Sequence, residues 1–300
     1  MSDRALDAGT TPVSFSVEFA APCEALAPYL GGYHIFKTRV APGVLHEEMV
    51  LPAWTNIQIQ TWGEDWSIRN TKNSFDPLPR AMVAGPTSGA QFCRVVNGDV
   101  IGVYLMPRGW ARFITSDCSK WADRIDEMGL LLGKDAEALT HEVMDAPDVE
   151  GQVAAFERFF LRRLAETKPE HPHVATIEAM LIDPDIRTVE QLSDATGMPD
   201  WQLARFVRRN FGFTPKMLIR RARFIRTIVR IREAQDQNMA MIVDDAYVDQ
   251  SHFIRDCRDF LEMTPSQFAA KYQPVARATI DERTRVLGDP HHVLQDDLSN

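Results

Sequence analysis

The sequence predicts an α+β chain in which an N-terminal β-barrel or sandwich with attached helices precedes an all-α domain built from two helix-turn-helix units. Three observations lead there. Apolar and polar residues alternate at period two up to about residue 106, the period turns helical from Trp110 onward, and one scheme of short helix, turn and amphipathic helix occurs twice between residues 188 and 262.

At 300 residues, 45% hydrophobic and 25% charged, the chain has room for about two domains. Its first residues, "MSDRALDAGTTPVSFSVEF", lack the basic segment and apolar core of a signal peptide, and no run approaches the roughly 18 apolar residues of a membrane span. A cytoplasmic location is expected, with no membrane partner. Cys23, Cys93, Cys118 and Cys257 share no C-x-x-C or His-paired spacing, which supports neither a disulfide framework nor a structural zinc.

Strands are expected at "VSFSVEF" (13–19), "GGYHIFKTRV" (31–40), "EMVLPA" (48–53), "TNIQIQTW" (55–62), "RAMVAGP" (80–86), "AQFCRVV" (90–96) and "DVIGVYLM" (99–106). Asn97-Gly98 between the last two accepts the positive φ angles of a type I′ turn, so these two strands are read as a hairpin. Seven or eight strands suffice for a small barrel or sandwich. Helices follow, broken at Gly133 and Pro147, and in "DVEGQVAAFERFFLRRLAE" (148–166) Val149, Val153, Phe156, Phe160 and Leu164 form one stripe. Phe159 lies off that stripe, which motivates an expected homodimer through this helix. Residues 1–167 make the first domain, and the proline-containing, apolar-free "KPEHPH" (168–173) reads as a linker.

Residues 174–272 are helical throughout. In "TVEQLSDATGMPDWQLARFVRRNFGFTP" (188–215) a short helix with Val189, Leu192 and Ala195 inward meets a turn at Gly197, and a second helix runs from about Pro199 to Phe211. At 100° per residue, Leu203, Val207 and Phe211 share one side, and Trp201, Arg205 and Arg208 project from the other. "AMIVDDAYVDQSHFIRDCRDFLEMTP" (240–265) repeats the scheme, with Phe253, Cys257 and Leu261 inward and Ser251, Arg255 and Arg258 outward. The connecting "PKMLIRRARFIRTIVRIREAQ" (215–235), if helical, spans roughly 30 Å, close to the roughly 34 Å between successive major-groove faces of B-DNA. Ten cations and no acid lie between 201 and 232, whereas 233–262 sets Arg255 and Arg258 against eight acids. The first half reads as phosphate-facing, the second as a weak reader repelled by its own acids. The polar stretch 273–300, with His291-His292, reads as a flexible tail.

Residues 174–272 resemble the double helix-turn-helix domain of the AraC/XylS family of bacterial transcription regulators, "DQSHFIRD" followed by "MTPSQF" being close to that family's second-motif signature. "APYLGGY", "VLPAWTNIQIQ", "VAGPTSG", "IGVYLMPRGWARF" and "FERFFLRRL" resemble an N-terminal module found ahead of that domain. Ala246 and Glu262 stand where the family prefers Gly, and Cys257 and Leu261 where it prefers Phe. The resemblance implies a sequence-specific regulator of double-stranded DNA. Trp201, Gln202, Arg205, Ser251 and Arg255 are the candidates for base edges, and Arg208, Arg209, Lys216, Arg220, Arg221, Arg223, Arg226 and Arg258 for phosphates.

The N-terminal domain, with 15 basic against 22 acidic residues, should avoid DNA and is placed to sense a small-molecule effector or a partner protein, RNA polymerase being a further candidate partner. Two rivals remain. One makes that domain a pure interaction or dimerisation module. The other makes it a cupin-like metal enzyme built on His34, His46, Glu47 and Glu48, which lack the H-x-H spacing such sites use. No catalytic residue, cofactor or metal is called for.

Overall fold

A computed structural model describes residues 13–70, 72–233, 243, 247, 249–271, 273–289 and 291–294. Among these residues ten strands form two antiparallel sheets: β1 (Val13–Ala20), β2 (Leu30–Val40), β3 (His46–Val50), β4 (Thr55–Gly63), β5 (Ser67–Arg69), β6 (Ser74–Phe75), β7 (Ala81–Ala84), β8 (Gln91–Val95), β9 (Gly98–Leu105) and β10 (Ile125–Glu127). The first sheet has the order β1-β2-β9-β4-β7-β10, the second β3-β8-β5-β6. The three shortest strands escaped the periodic pattern because two or three residues carry no period.

The first sheet is covered on both faces. Ile35, Ile57, Ile59, Ile101 and Val103 point from it into a core shared with the helices α1 (Pro107–Phe113), α2 (Met128–Leu132), α3 (Asp135–Asp145) and α4 (Val149–Glu166). On α4, Phe156 and Phe160 are fully buried as the stripe requires, but Phe159 is buried too, edge-on to Phe160. The exposed aromatic that suggested dimerisation is therefore absent. Its ring turns back into the helical layer because α3 and α1 flank α4.

The expected hairpin at Asn97-Gly98 does not form. β8 and β9 lie in different sheets, and Gly98 is not among the glycines with positive φ. The dipeptide is instead a corner between sheets. The Asn97 side chain accepts from the Val40 N–H at 2.9 Å and donates to Glu64, and its carbonyl accepts from the Glu64 N–H. A Cβ on Gly98 would lie 2.6 Å from Trp66 Nε1. Long-range clamping decides the backbone that the local dipeptide left open.

The helical domain comprises α5 (Pro172–Ile182), α6 (Val189–Thr196), α7 (Asp200–Phe211), α8 (Pro215–Glu233), α9 (Gln250–Leu261) and α10 (Pro265–Ala270). Thr188 and Gln191 form a capping box at the start of α6, and Gly197 ends it in the left-handed conformation at φ +65°. Leu192 is buried as expected. Ala195 is exposed, however, and Thr196 takes the inward place, its hydroxyl bonding back to the Leu192 carbonyl. Most of the expected first helix of the second motif falls outside the described residues.

Within the stretch read as a tail, the described residues 273–289 and 291–294 are folded. α11 (Pro274–Leu287) packs along β1, and a short 3-10 turn at His292–Leu294 returns to the middle of the molecule. Val275, Leu287 and Val293 supply the apolar anchors, too widely spaced for a sequence pattern to register. His291 and His292 are buried with them. The two domains also share a core: Met49, Leu51, Trp54 and Phe92 of the N-terminal domain join Leu203, Phe211, Phe224 and Phe260 of the helical domain in one cluster.

Candidate functional site

α7 has an apolar face and an opposite cationic face. Leu203, Val207 and Phe211 are buried to 1% exposure or less, whereas Trp201, Gln202, Arg205, Arg208 and Arg209 are exposed. Trp201 is 67% exposed, and the Arg205 guanidinium lies 5.6 Å from its ring centroid, a contact that orders both side chains without spending the guanidinium's donors. Asp200 in the first turn and Arg208 and Arg209 in the last suit the helix dipole. Lys216 is exposed on the next turn of chain.

α9 repeats this geometry. Asp249 caps it, accepting from the His252 N–H at 3.0 Å and from the Ser251 hydroxyl. These bonds and the His252 imidazole hold the Asp249 carboxyl down at about 2. Ser251, Arg255 and Arg258 are exposed; Phe253, Cys257 and Leu261 are buried. Glu262, which ends α9, has φ +60°, a conformation costing an L-residue about 1–2 kcal/mol. Its carboxylate meets Arg69 of β5 at 3.3 Å.

The charge sums read from the sequence misplace the arginines of α8. Arg221 is 0% exposed: it stacks 4.0 Å above Trp54 and donates to the Thr87 and Ala53 carbonyls at 2.9 and 3.3 Å. Burial drops its pKa to about 9. It cannot reach a phosphate, because its side chain is enclosed by the N-terminal domain. Arg220 binds Asp256 and Asp259, Arg223 binds Asp256 at 3.3 Å, and Arg226 donates to the Leu181 and Ile182 carbonyls. Asp256 itself is 3% exposed and also accepts from the Tyr247 hydroxyl at 2.9 Å. Asp256 and Asp259 thus pair with the arginines of the connecting helix, which the sequence had set against phosphates. Sequence separations of 33 and 36 residues hide these pairs from any local pattern.

A second feature lies between the sheets. Asn56, Gln58 and Gln60 alternate with the buried isoleucines of β4, and such a pattern ordinarily means a solvated face. Here the opposite face of the first sheet looks onto a cavity of about 170 Å³ bounded by the second sheet, the end of α8 and the α11 segment. Its walls are largely apolar, with Phe19, Phe36, Met49, Leu78 and Met82 among them. Four polar atoms on lining residues, His34 Nδ1, Asn56 Oδ1, Trp66 Nε1 and Gln91 Nε2, are buried without a hydrogen-bond partner among the described residues. His34 lies flat across Gly102, where a Cβ would stand 2.6 Å from its Nε2. Burial, reinforced by Arg283, lowers its pKa to about 3, so it is a neutral imidazole.

Of the four residues weighed for a metal centre, His46, Glu47 and Glu48 are engaged elsewhere. His46 pairs with Glu48 at 2.8 Å, Glu48 accepts from the Val275 and Ala276 N–H groups, and Glu47 faces Arg69 and Lys271. Among the described residues no helix is long and apolar enough to cross a membrane.

A family model described as a helix-turn-helix domain matches residues 192–271. No curated protein sequence matches the chain. Among solved structures, the chain is similar to ToxT from Vibrio cholerae O395 bound to (E)-4-(8-methylnaphthalen-1-yl)but-3-enoic acid, with 11% identity, 86% of this chain and 98% of that chain covered and a TM-score of 0.44. Unsaturated fatty acid bound ToxT from Vibrio cholerae strain SCE256 gives 10%, 86%, 95% and 0.42. The AraC-like transcriptional activator CuxR gives 10%, 72%, 96% and 0.28. With the capped α6, the αL turn at Gly197 and the two-faced α7 inside the matched span, the chain carries an AraC-type helix-turn-helix domain over residues 192–271.

Proposed function

We propose that the chain is a cytoplasmic transcription regulator that binds double-stranded DNA through α7 and α9 and carries a small-molecule site in its N-terminal domain. The observation behind the DNA reading is the exposed row of Trp201, Arg205, Arg208 and Arg209 opposite a fully buried apolar face, in a matched helix-turn-helix domain. Trp201, Gln202, Arg205, Ser251 and Arg255 are the residues for base edges, Arg best fitting guanine O6 and N7. Arg208, Arg209, Lys216 and Arg258 are those for phosphates. Four such contacts predict a salt slope near −3.6, so raising salt from about 50 to 200 mM weakens binding roughly 100-fold. An anisotropy titration of the full chain on a selected site pool tests this; no binding at about 50 mM salt refutes it.

The effector reading rests on four polar atoms of the cavity's lining residues that have no partner among the described residues, since buried polar groups are ordinarily satisfied. An apolar cavity of about 150 Å³ holds benzene, so the fitting ligand is a small, mainly apolar ring compound with hydrogen-bond acceptors for the Trp66 and Gln91 N–H groups. Thermal-shift screening must use the full chain, because Arg232, Arg283 and His292 also line the cavity. Absence of any stabilising compound from a library of such molecules counts against it.

A further inference from the structure

The chain does not stop at residue 271, where the matched domain ends. It crosses back to the N-terminal domain and is fastened there at four points. Glu48 of β3 accepts from the Val275 and Ala276 N–H groups, both at 3.2 Å, at the start of α11. Arg283, buried, donates to the Gly31 carbonyl and pairs with Asp289 at 3.0 Å. Leu287 fills the place beside Gly32 where a Cβ would be 2.5 Å away. His292 accepts the Trp54 N–H at 2.9 Å through Nε2 and stacks on Tyr104 at 3.9 Å.

Trp54 links this segment to the helix-turn-helix domain. Its backbone is held by His292, while its ring carries Arg221 of α8 and meets Phe211 at the end of α7 edge-on at 6.1 Å. Val293 enters the same core as Val174, Leu203 and Phe224. Arg283, His291 and His292 meanwhile line the cavity. One segment therefore touches the cavity, the plate under α8 and the domain interface.

We propose that α11 and the turn at His292–Leu294 are a clasp that completes the cavity and holds the helix-turn-helix domain against the N-terminal domain, restraining DNA binding until it opens. The clasped form holds the second motif to an acidic domain: Glu262 to Arg69, Lys271 to Glu47 at 3.4 Å, and the Phe260 carbonyl to the Ala90 N–H at 2.6 Å. Two motifs that must settle into successive grooves are then locked to one body, and opening the clasp frees their relative orientation. A molecule in the cavity meets His292 and Arg283 directly. The proposal rests on the DNA-binding reading above.

The test is the full chain with G31C and H292C. A Cβ on Gly31 lies 3.2 Å from His292 Cβ, near the 3.5–4.5 Å of a disulfide, so oxidation closes the clasp and reduction frees it in one protein. With cross-linking verified by mass, the oxidised form should bind a selected operator at least about 10-fold more weakly than the reduced form, a difference of about 1.4 kcal/mol. Equal affinities overturn the clasp and leave DNA binding standing; failure of both forms to bind sinks both readings.

The unmodified chain supplies a second measurement that does not depend on how the variant folds. Hydrogen exchange at the Trp54, Val275 and Ala276 amides should accelerate together when operator DNA is added, while Ile57 and Ile101 in the sheet stay protected. Unchanged protection at the three amides overturns the proposal.

Discussion

Asp256 offers the sharpest test of how charge is arranged. From sequence, an acid in the middle of the second recognition helix repels phosphate, and Asp256→Asn should tighten DNA binding. In the structure the carboxylate points inward, 3% exposed, and accepts from Arg220 Nε at 2.6 Å, Arg223 at 3.3 Å and the Tyr247 hydroxyl at 2.9 Å. Breaking a buried pair by removing one partner costs about 3–5 kcal/mol, and a hydrogen bond to a charged group is worth about 1.5–3. Asp256→Ala should therefore destabilise the helical domain by about 3–5 kcal/mol. Asp256→Asn, which keeps an acceptor oxygen, should cost about 2–3. With urea m-values of about 1–3 kcal/mol/M, the Ala variant's midpoint falls by at least about 1 M. DNA affinity falls with it, because the two motifs lose the bridge across α8. An unchanged urea midpoint combined with tighter DNA binding by Asp256→Asn would refute the inward placement.

Arg208→Ala and Lys216→Ala should each reduce the magnitude of the salt slope by about 0.9, whereas Arg221→Ala should leave the slope alone and lower the thermal midpoint; a slope change at Arg221 would contradict its burial. Arg205→Ala should cost about 1 kcal/mol more binding energy than Arg255→Ala on one operator, because α7 and Lys216 offer more exposed cations than α9, and equal losses would remove that asymmetry. Stability should fall on acidification below about pH 6.5, the ordinary histidine value. His34, neutral in the fold with a pKa of about 3, refuses a proton that the unfolded chain takes up, so about 1.4 kcal/mol is lost per pH unit between those limits. His291 and His292 are shifted the same way by burial and Arg283. Urea midpoints at pH 7.5 and 5.0, with His34→Gln as the variant that loses its share, check this; a flat profile would show the imidazoles charged or exposed.

The sequence alone determined whatever depends on near neighbours. The two-faced α7 and α9, the short α6 with its turn at Gly197, and the long strands of the first domain were legible because helical and strand periods repeat within a few residues. So were the exposed Trp201, Arg205 and Arg255, which follow from being opposite the apolar stripe. The tertiary structure decided where the arginines of α8 point, since Asp256 and the Thr87 carbonyl are brought to them from 33 to 134 residues away. It decided that Asn56 and Gln58 face a cavity instead of water, because alternation records two faces of a strand but not what covers them. It also decided that Asn97-Gly98 is a corner between sheets and that α11 and the turn at His292–Leu294 fold onto the N-terminal domain. Both outcomes rest on contacts across the chain, from Val40 and Glu64 in one case and from Glu48, Gly31 and Trp54 in the other. A local pattern has no access to partners that only folding assembles.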